Sequence, residues 1–302
     1  MPWEMDYALL SFTQLSKAKY YINKEDKIFV DVTLNLSSYI IDWDKSSLPK
    51  NFFKEKFSQL QNLLEGYTCR FFTYEGDLLY GALDSQKVSK EDNIDHYILM
   101  NPDMYFDEKS IYYLIESSKV VNNNYVIITQ EIPKLWDSSW DEISNKHFIN
   151  TPYSEWDKLT LHECTYLLNQ QEEEATLVPT STFKWAGWMD LYNKNMWEEL
   201  YLYHDDWVGY GACDNYTMML GTLAKQCGVD ICQYVLRGQV VQPYWANKGG
   251  IGFHEYYKNN ISLREIPNQR QQFDEKIPFY MKKGLNYILE KNNKQNTFKY
   301  LQ

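Results

Sequence analysis

The chain is poor in cysteine and basic residues, and its glycines form no nucleotide-binding pattern. Each shortage removes a class of protein. Five cysteines stand among 302 residues, at positions 69, 164, 213, 227 and 232. The number is odd and no C-x-x-C spacing occurs. Zinc and disulfide frameworks therefore lack their pattern, and a reducing cytosol fits best. The 13 glycines form neither G-x-G-x-x-G nor G-x-x-x-x-G-K-[ST], so dinucleotide-binding and P-loop readings lack their fingerprint. No G-x-S-x-G appears either. Lysine and arginine total 30 against 41 acidic residues, a net charge of −11. This argues against free nucleic acid as a partner, because neutralising phosphates needs a Lys/Arg surface. No run approaches the roughly 20 apolar residues that a membrane span needs. The start, MPWEMDYALLSF, lacks the basic region and apolar run of a secretory signal.

Aromatic residues are abundant: 26 Tyr, 14 Phe and 10 Trp, or 17% of the chain. Tyrosine, with asparagine and lysine, follows genome composition. Ten tryptophans suit flat, partly apolar faces such as sugar rings, and equally suit a thick core. The apolar fraction of 44% is ordinary for a globular protein. The length fits one large α/β domain with a C-terminal extension.

The periodicity gives an order of elements. Tyr7–Phe12, YALLSF, reads as a first strand, with a short helix through QLSKAKYYI. Lys27–Leu36 is rich in β-branched residues and reads as a second strand. Phe53, Phe57, Leu60 and Leu64 fall at helical spacing, after a Ser-Pro opening and before Gly66. Cys69–Gly76 and His96–Met100 read as strands, the latter with almost no polar face and so central to its sheet. A helix follows, with Asp107 as its N-cap and Ile111, Leu114, Ile115 and Ser118 as its inner stripe. Tyr125–Thr129 is the next buried strand.

Beyond residue 150 the texture becomes Trp-rich and less regular. Phe183–Leu200 reads as a strand pair turning into a helix. Asn215–Gly228 reads as a helix stopped by Gly228, DICQYVLRGQVVQ as strand, and Phe273–Lys291 as a terminal helix. Strands alternating with helices predict a mostly parallel α/β sheet flanked by helices.

The chemistry concentrates at two places. Ligands of open α/β sheets bind outside the carboxyl ends of the strands. Asp103 stands three residues past His96–Met100, where it would face that crevice. A carboxylate there can bind Mg²⁺ or Mn²⁺, and the cation can hold a diphosphate. Asn101-Pro102-Asp103 is also an ordinary turn sequence. The second place is GYGACDN, Gly209–Asn215, where a Gly-rich turn delivers Asp214 to the start of a helix.

Together, MNPDMYF (Met100–Phe106), KWAGWMDLYNKNMW and GYGACDN resemble the GT-A glycosyltransferases of the family 2 type, in order and spacing, over roughly residues 7–255. In that family a D-x-D or N-P-D element closes a central strand, and a later G-W/Y-G-x-E-D element supplies the catalytic base. The resemblance implies a GT-A-like domain over 1–265, with a nucleotide-sugar half over about 1–130 and an acceptor half over about 131–265. A helical extension occupies 266–302. It implies inverting transfer of a sugar from a nucleotide-diphosphate donor to a hydroxyl of a glycan or other cytosolic acceptor. The setting would be surface polysaccharide assembly, in the cytoplasm or at the inner face of the membrane.

Asp214 matches the base, and Asp103 the ligand of a metal-bound diphosphate, with Asn101 assisting. His254, in the loop NKGGIGFHEYYKNN, matches a late histidine that completes the metal site, against a surface histidine as the alternative. Phe12 and Thr13, in the expected first loop, would lie near the nucleotide base. Trp185, Gly187 and Trp188 would form an acceptor segment, one tryptophan stacking on sugar and the other packing in the core. Asp206, in YHDDW, is a further acceptor or cation candidate, or part of a solvated loop. Two positions depart from the family. Asn101 replaces the first aspartate of D-x-D and brings no charge. Cys213 replaces the glutamate that often positions the acceptor. Two other classes remain: a glycan- or nucleotide-binding protein with a decayed site, and a sugar nucleotidyltransferase. The second would carry a Gly-rich basic first loop, which SFTQLSKAK is not.

Overall fold

A computed structural model describes residues 4–36, 41–74, 93–132, 140–145, 175–184, 187–200, 213–243, 259–260, 262–263 and 269–299. The first element is a helix, α1 (Met5–Ala18), where a strand over Tyr7–Phe12 was expected. Its buried residues explain the difference. Met5, Ala8, Phe12 and Leu15 recur every three to four positions, the period of a helix, while the apolar run between them imitates a strand.

Strand β1 (Phe29–Asn35) and the short β2 (Ile41–Asp42) lead to α2 (Phe52–Leu63) and β3 (Thr68–Tyr74). β1 and β3 pair in parallel, tied by a bidentate ion pair between Arg70 and Asp31 at 2.7 and 2.9 Å. Then come β4 (His96–Met100), β5 (Met104–Tyr105), α3 (Ser110–Ser118) and β6 (Tyr125–Glu131). Asp107 precedes α3, its Oδ1 accepting the Lys109 N–H at 2.8 Å; Ile111, Leu114 and Ser118 are buried and Ile115 is half-buried. β7 (Thr176–Pro179), β8 (Met189–Asn193) and a π turn (Met196–Leu200) follow. The chain closes with α4 (Cys213–Gln226), β9 (Ile231–Val240), β10 (Gln242–Pro243), β11 (Ser262–Leu263) and α5 (Gln269–Lys291). Gly228, at φ +83°, ends the turn after α4 in a conformation that favours glycine.

The main sheet runs β4-β8-β6-β9-β7 and is mixed. Only β6 and β9 pair in parallel; β8 lies antiparallel between β4 and β6, and β7 antiparallel to β9. The expectation of a mostly parallel sheet is corrected accordingly. So is the central place given to His96–Met100. Among the described residues β4 is an edge strand with Ile98, Leu99 and Met100 half-buried. The centre is β6, where all seven residues are buried. An unbroken apolar run reports contact on both faces of a strand, not its rank in the sheet.

Each face of the sheet has its own core. On one side α1, α2 and α3 pack through Phe12, Leu15, Leu60, Ile111 and Leu114 against Val126, Ile128 and Leu191. On the other, α4, α5 and the π turn pack through Tyr216, Leu220, Tyr280 and Leu285 against Ile127, Tyr192 and Ile231. The terminal helix is thus part of the second core. At the end of β6, Glu131 is 4% exposed and accepts bonds from Arg237 Nη1 at 2.8 Å, Asn145 Nδ2 at 2.6 Å and the Gly238 N–H at 3.1 Å. Its charge is buried but paired and hydrogen-bonded, the condition under which such burial is tolerated. Among the described residues no helix is long and apolar enough to cross a membrane, and Cys69, Cys227 and Cys232 are free thiols.

Candidate functional site

Strand directions define one end of the sheet. β4 and β6 both run opposite to β8, and β9 runs with β6, so the carboxyl ends of β4, β6 and β9 lie together. Asn101–Asp103 leaves from the end of β4. α4 reverses into β9 through Cys227–Asp230, with the Val229 N–H returning to the Ala224 carbonyl at 3.1 Å. α4 therefore begins at that same carboxyl end, carrying Cys213 and Asp214 as its first two residues. The side chains of these two lie outside the described residues. α4 and α1 belong to the cores on opposite faces of the sheet. The two carboxylate-bearing segments thus approach one end from the two sides.

The Asn101–Phe106 segment is held from several directions. The Asn101 N–H donates to the Trp188 carbonyl at 2.8 Å. β5 pairs antiparallel with β10, Met104 against Pro243 and Tyr105 against Gln242. Ser11 Oγ donates to the Met104 carbonyl at 2.7 Å, and Gln14 Nε2 to the Phe106 carbonyl at 3.1 Å. Asp103 is only 4% exposed. Burial pushes the Tyr7 phenol up, and the Asp103 carboxylate, acting through space, pushes it the same way. The segment that carries Asp103 is thus held against α1 through Ser11 and Gln14.

Several expected site residues sit elsewhere. Phe12 and Thr13 are on α1 and not in a loop. Phe12 is buried in the first core, and the Thr13 hydroxyl donates to the Leu9 carbonyl at 2.8 Å, one turn back. Their expected place beside a nucleotide base is corrected, because the α1 face that holds Phe12 is core. Gly187 takes φ +67° in the turn that enters β8. Trp188, next to it, is 7% exposed and packs in the first core, so it is the core member of the expected tryptophan pair. Trp185, Asp206 and His254 lie outside the described residues. Among the described residues no group of three or more His, Cys, Asp or Glu side chains could hold a metal ion.

The structure also places residues that the pattern of the sequence did not single out. Asp190 on β8 is 1% exposed and level with Leu99 and Thr129, between the carboxyl ends of β4 and β6. An aspartate inside WMDLYN, an otherwise apolar run, was the available signal. Ser11 and Gln14 are buried polar residues on α1, and they became visible only once α1 was a helix. No protein-family model matches the chain, and no curated protein matches it at a significant level.

Proposed function

We propose that the protein is a glycosyltransferase that moves a sugar from a nucleoside-diphosphate donor to a hydroxyl of a glycan. The observation that carries this reading is the convergence of Asn101–Asp103 and the Cys213–Asp214 helix start on the carboxyl end of one sheet, where α/β proteins bind ligands. The antiparallel β8, with Gly187 and Trp188 leading into it, lies between β4 and β6 and supplies the segment between the two.

In the proposed reaction Asp214 takes the proton of the acceptor hydroxyl as general base. The freed oxygen pair bonds to the anomeric carbon, and the bond from that carbon to the diphosphate oxygen breaks with its electrons. The configuration at that carbon inverts. Asp103 and Asn101 bind the donor side, and Cys213 with Trp185, Gly187 and Asp206 forms the acceptor side. A divalent cation, Mn²⁺ or Mg²⁺, and a role for His254 come from the family resemblance alone. The described residues offer two carboxylates at that end, Asp103 and Asp190, and both are buried. They do not by themselves make a cation site.

That burial favours a second reading, a glycan- or nucleotide-binding protein whose catalytic site has decayed. One screen separates them from each other and from neither. Thermal unfolding is recorded with UDP, GDP, dTDP and CMP, with and without Mn²⁺, on wild type and Asp103→Ala. A nucleotide present at 100 times its Kd stabilises by about 2.7 kcal/mol. The expected result is a shift with one nucleotide, lost in Asp103→Ala. No shift with any of the four would sink the donor-site reading. A shift without hydrolysis of the matching nucleotide-sugar, and without transfer from it, would favour the binding protein.

A further inference from the structure

The face of α1 that meets the Asp103 segment is polar in an unusual way. Tyr7, Ser11 and Gln14 stand at i, i+4 and i+7, on one side of the helix. Ser11 is 0% exposed and Gln14 is 9% exposed. A buried hydroxyl and a buried amide in a helix that otherwise packs Met5, Ala8, Phe12 and Leu15 are costly to leave unpaired. Both are bonded, and both bond to the same short stretch of chain, 93 and 92 residues away. Ser11 Oγ reaches the Met104 carbonyl, directly after Asp103, and Gln14 Nε2 reaches the Phe106 carbonyl two residues on. Helix and segment run alongside each other, with Ser11 at Met104 and Gln14 at Phe106.

Among the described residues β5 pairs with β10 alone, through Met104 and Tyr105. The carboxylate of Asp103 is attached one residue before this clamp. The main chain that follows it is therefore held by two donors on α1 as well as by the end of β4.

We propose that Ser11 and Gln14 are positioning residues for the donor site, fixing Asp103 by gripping the backbone that follows it. The proposal rests on the donor-site reading of Asp103. It adds that α1, and not only the end of β4, sets the affinity for the nucleoside diphosphate. Neither residue touches the donor; each acts through the Met104–Phe106 main chain.

The test uses the full chain with Ser11→Ala and Gln14→Met, the second keeping length and apolar packing. Hydrogen–deuterium exchange is followed in peptides over residues 101–106 and, as a control, over β6. Binding of UDP with Mn²⁺ is titrated in parallel, or of whichever of the four nucleotides shifts the wild type. The expected result is exchange at least tenfold faster at 101–106 in both variants, β6 unchanged, and affinity about tenfold weaker. The double variant Ser11→Ala/Asp103→Ala should bind no more weakly than Asp103→Ala alone, because Ser11 acts through Asp103. Unchanged exchange at 101–106 in both variants overturns the grip. Faster exchange with unchanged affinity overturns the positioning role. A wild type that binds none of the four nucleotides removes the donor-site reading instead, and the exchange data then report on the grip alone.

Discussion

Glu142 shows how one carboxylate can tie two distant segments together. It accepts hydrogen bonds from the backbone N–H and hydroxyl of Ser181 at 2.9 and 2.5 Å, and from those of Thr182 at 3.1 and 2.7 Å. Partial burial pushes its carboxyl up. The four bonds to the charged form outweigh that and bring it down to about 2. A depressed folded value stabilises above the ordinary carboxyl range, and that stability disappears as pH falls toward 2. Glu142→Ala should therefore lower the urea midpoint at pH 7. The loss should be about 1 kcal/mol, the low end for charged hydrogen bonds because solvent reaches this group. The gap between variant and wild type should narrow steadily from about pH 4.5 down to about pH 2. A gap independent of pH would mean that packing, and not charge, is what Glu142 supplies.

Among the elements, α4 and α5 meet closely at a glycine. Gly284 sits where a side chain on α5 would run into the Tyr216 hydroxyl and approach Leu220 Cδ2 at 3.3 Å. Tyr216 is buried, and its hydroxyl donates to the Tyr280 carbonyl at 3.4 Å. Burial raises its phenol far above the ordinary value. Alanine at position 284 would gain about 1 kcal/mol of helix propensity over glycine. Against this stands an overpacking cost of about 1–3 kcal/mol in a core that cannot give way. Gly284→Ala should thus lower stability in chemical denaturation, the reverse of what propensity alone predicts. A gain would show that Tyr216 swings aside freely.

The same elements show what the sequence could tell. Helices with one clean stripe were legible: Phe53, Phe57, Leu60 and Leu64 mark α2, and Ile111, Leu114 and Ser118 mark α3. Gly228 marked the end of α4 because its φ of +83° is one that side chains resist. α1 was misread because Ala8-Leu9-Leu10 is apolar without interruption, although Leu10 is 42% exposed and only the wider spacing is helical. β8 was expected only as part of a strand pair. Its direction was beyond reach, since strand direction depends on partners 60 or more residues away. For the candidate site, the sequence marked Asp103 just past a strand and Asp214 at the start of a helix. It said nothing of the α1 donors, because a hydrogen bond from residue 11 to residue 104 leaves no local pattern.

At the scale of the whole molecule, the strand order sets a timetable. β6, with all seven residues buried, is flanked by β8 and β9, both later in the chain. Its pairings join Ile127 with Tyr192, and Tyr125 with Ile231. Both partners are made long after it. At about 5–20 residues per second of synthesis, the roughly 100 residues from β6 to β9 take on the order of 5–20 seconds to appear. For roughly the first 60 residues of that interval the nascent chain carries an apolar segment, YVIIT, with neither partner strand made, and its β9 side stays unpaired to the end of it. A ribosome-bound chain halted before Ile231 should leave β6 open to proteolysis and retained by chaperones, while one extended past Val240 should protect it. A structure assembled around its middle strand is therefore vulnerable while it is being made.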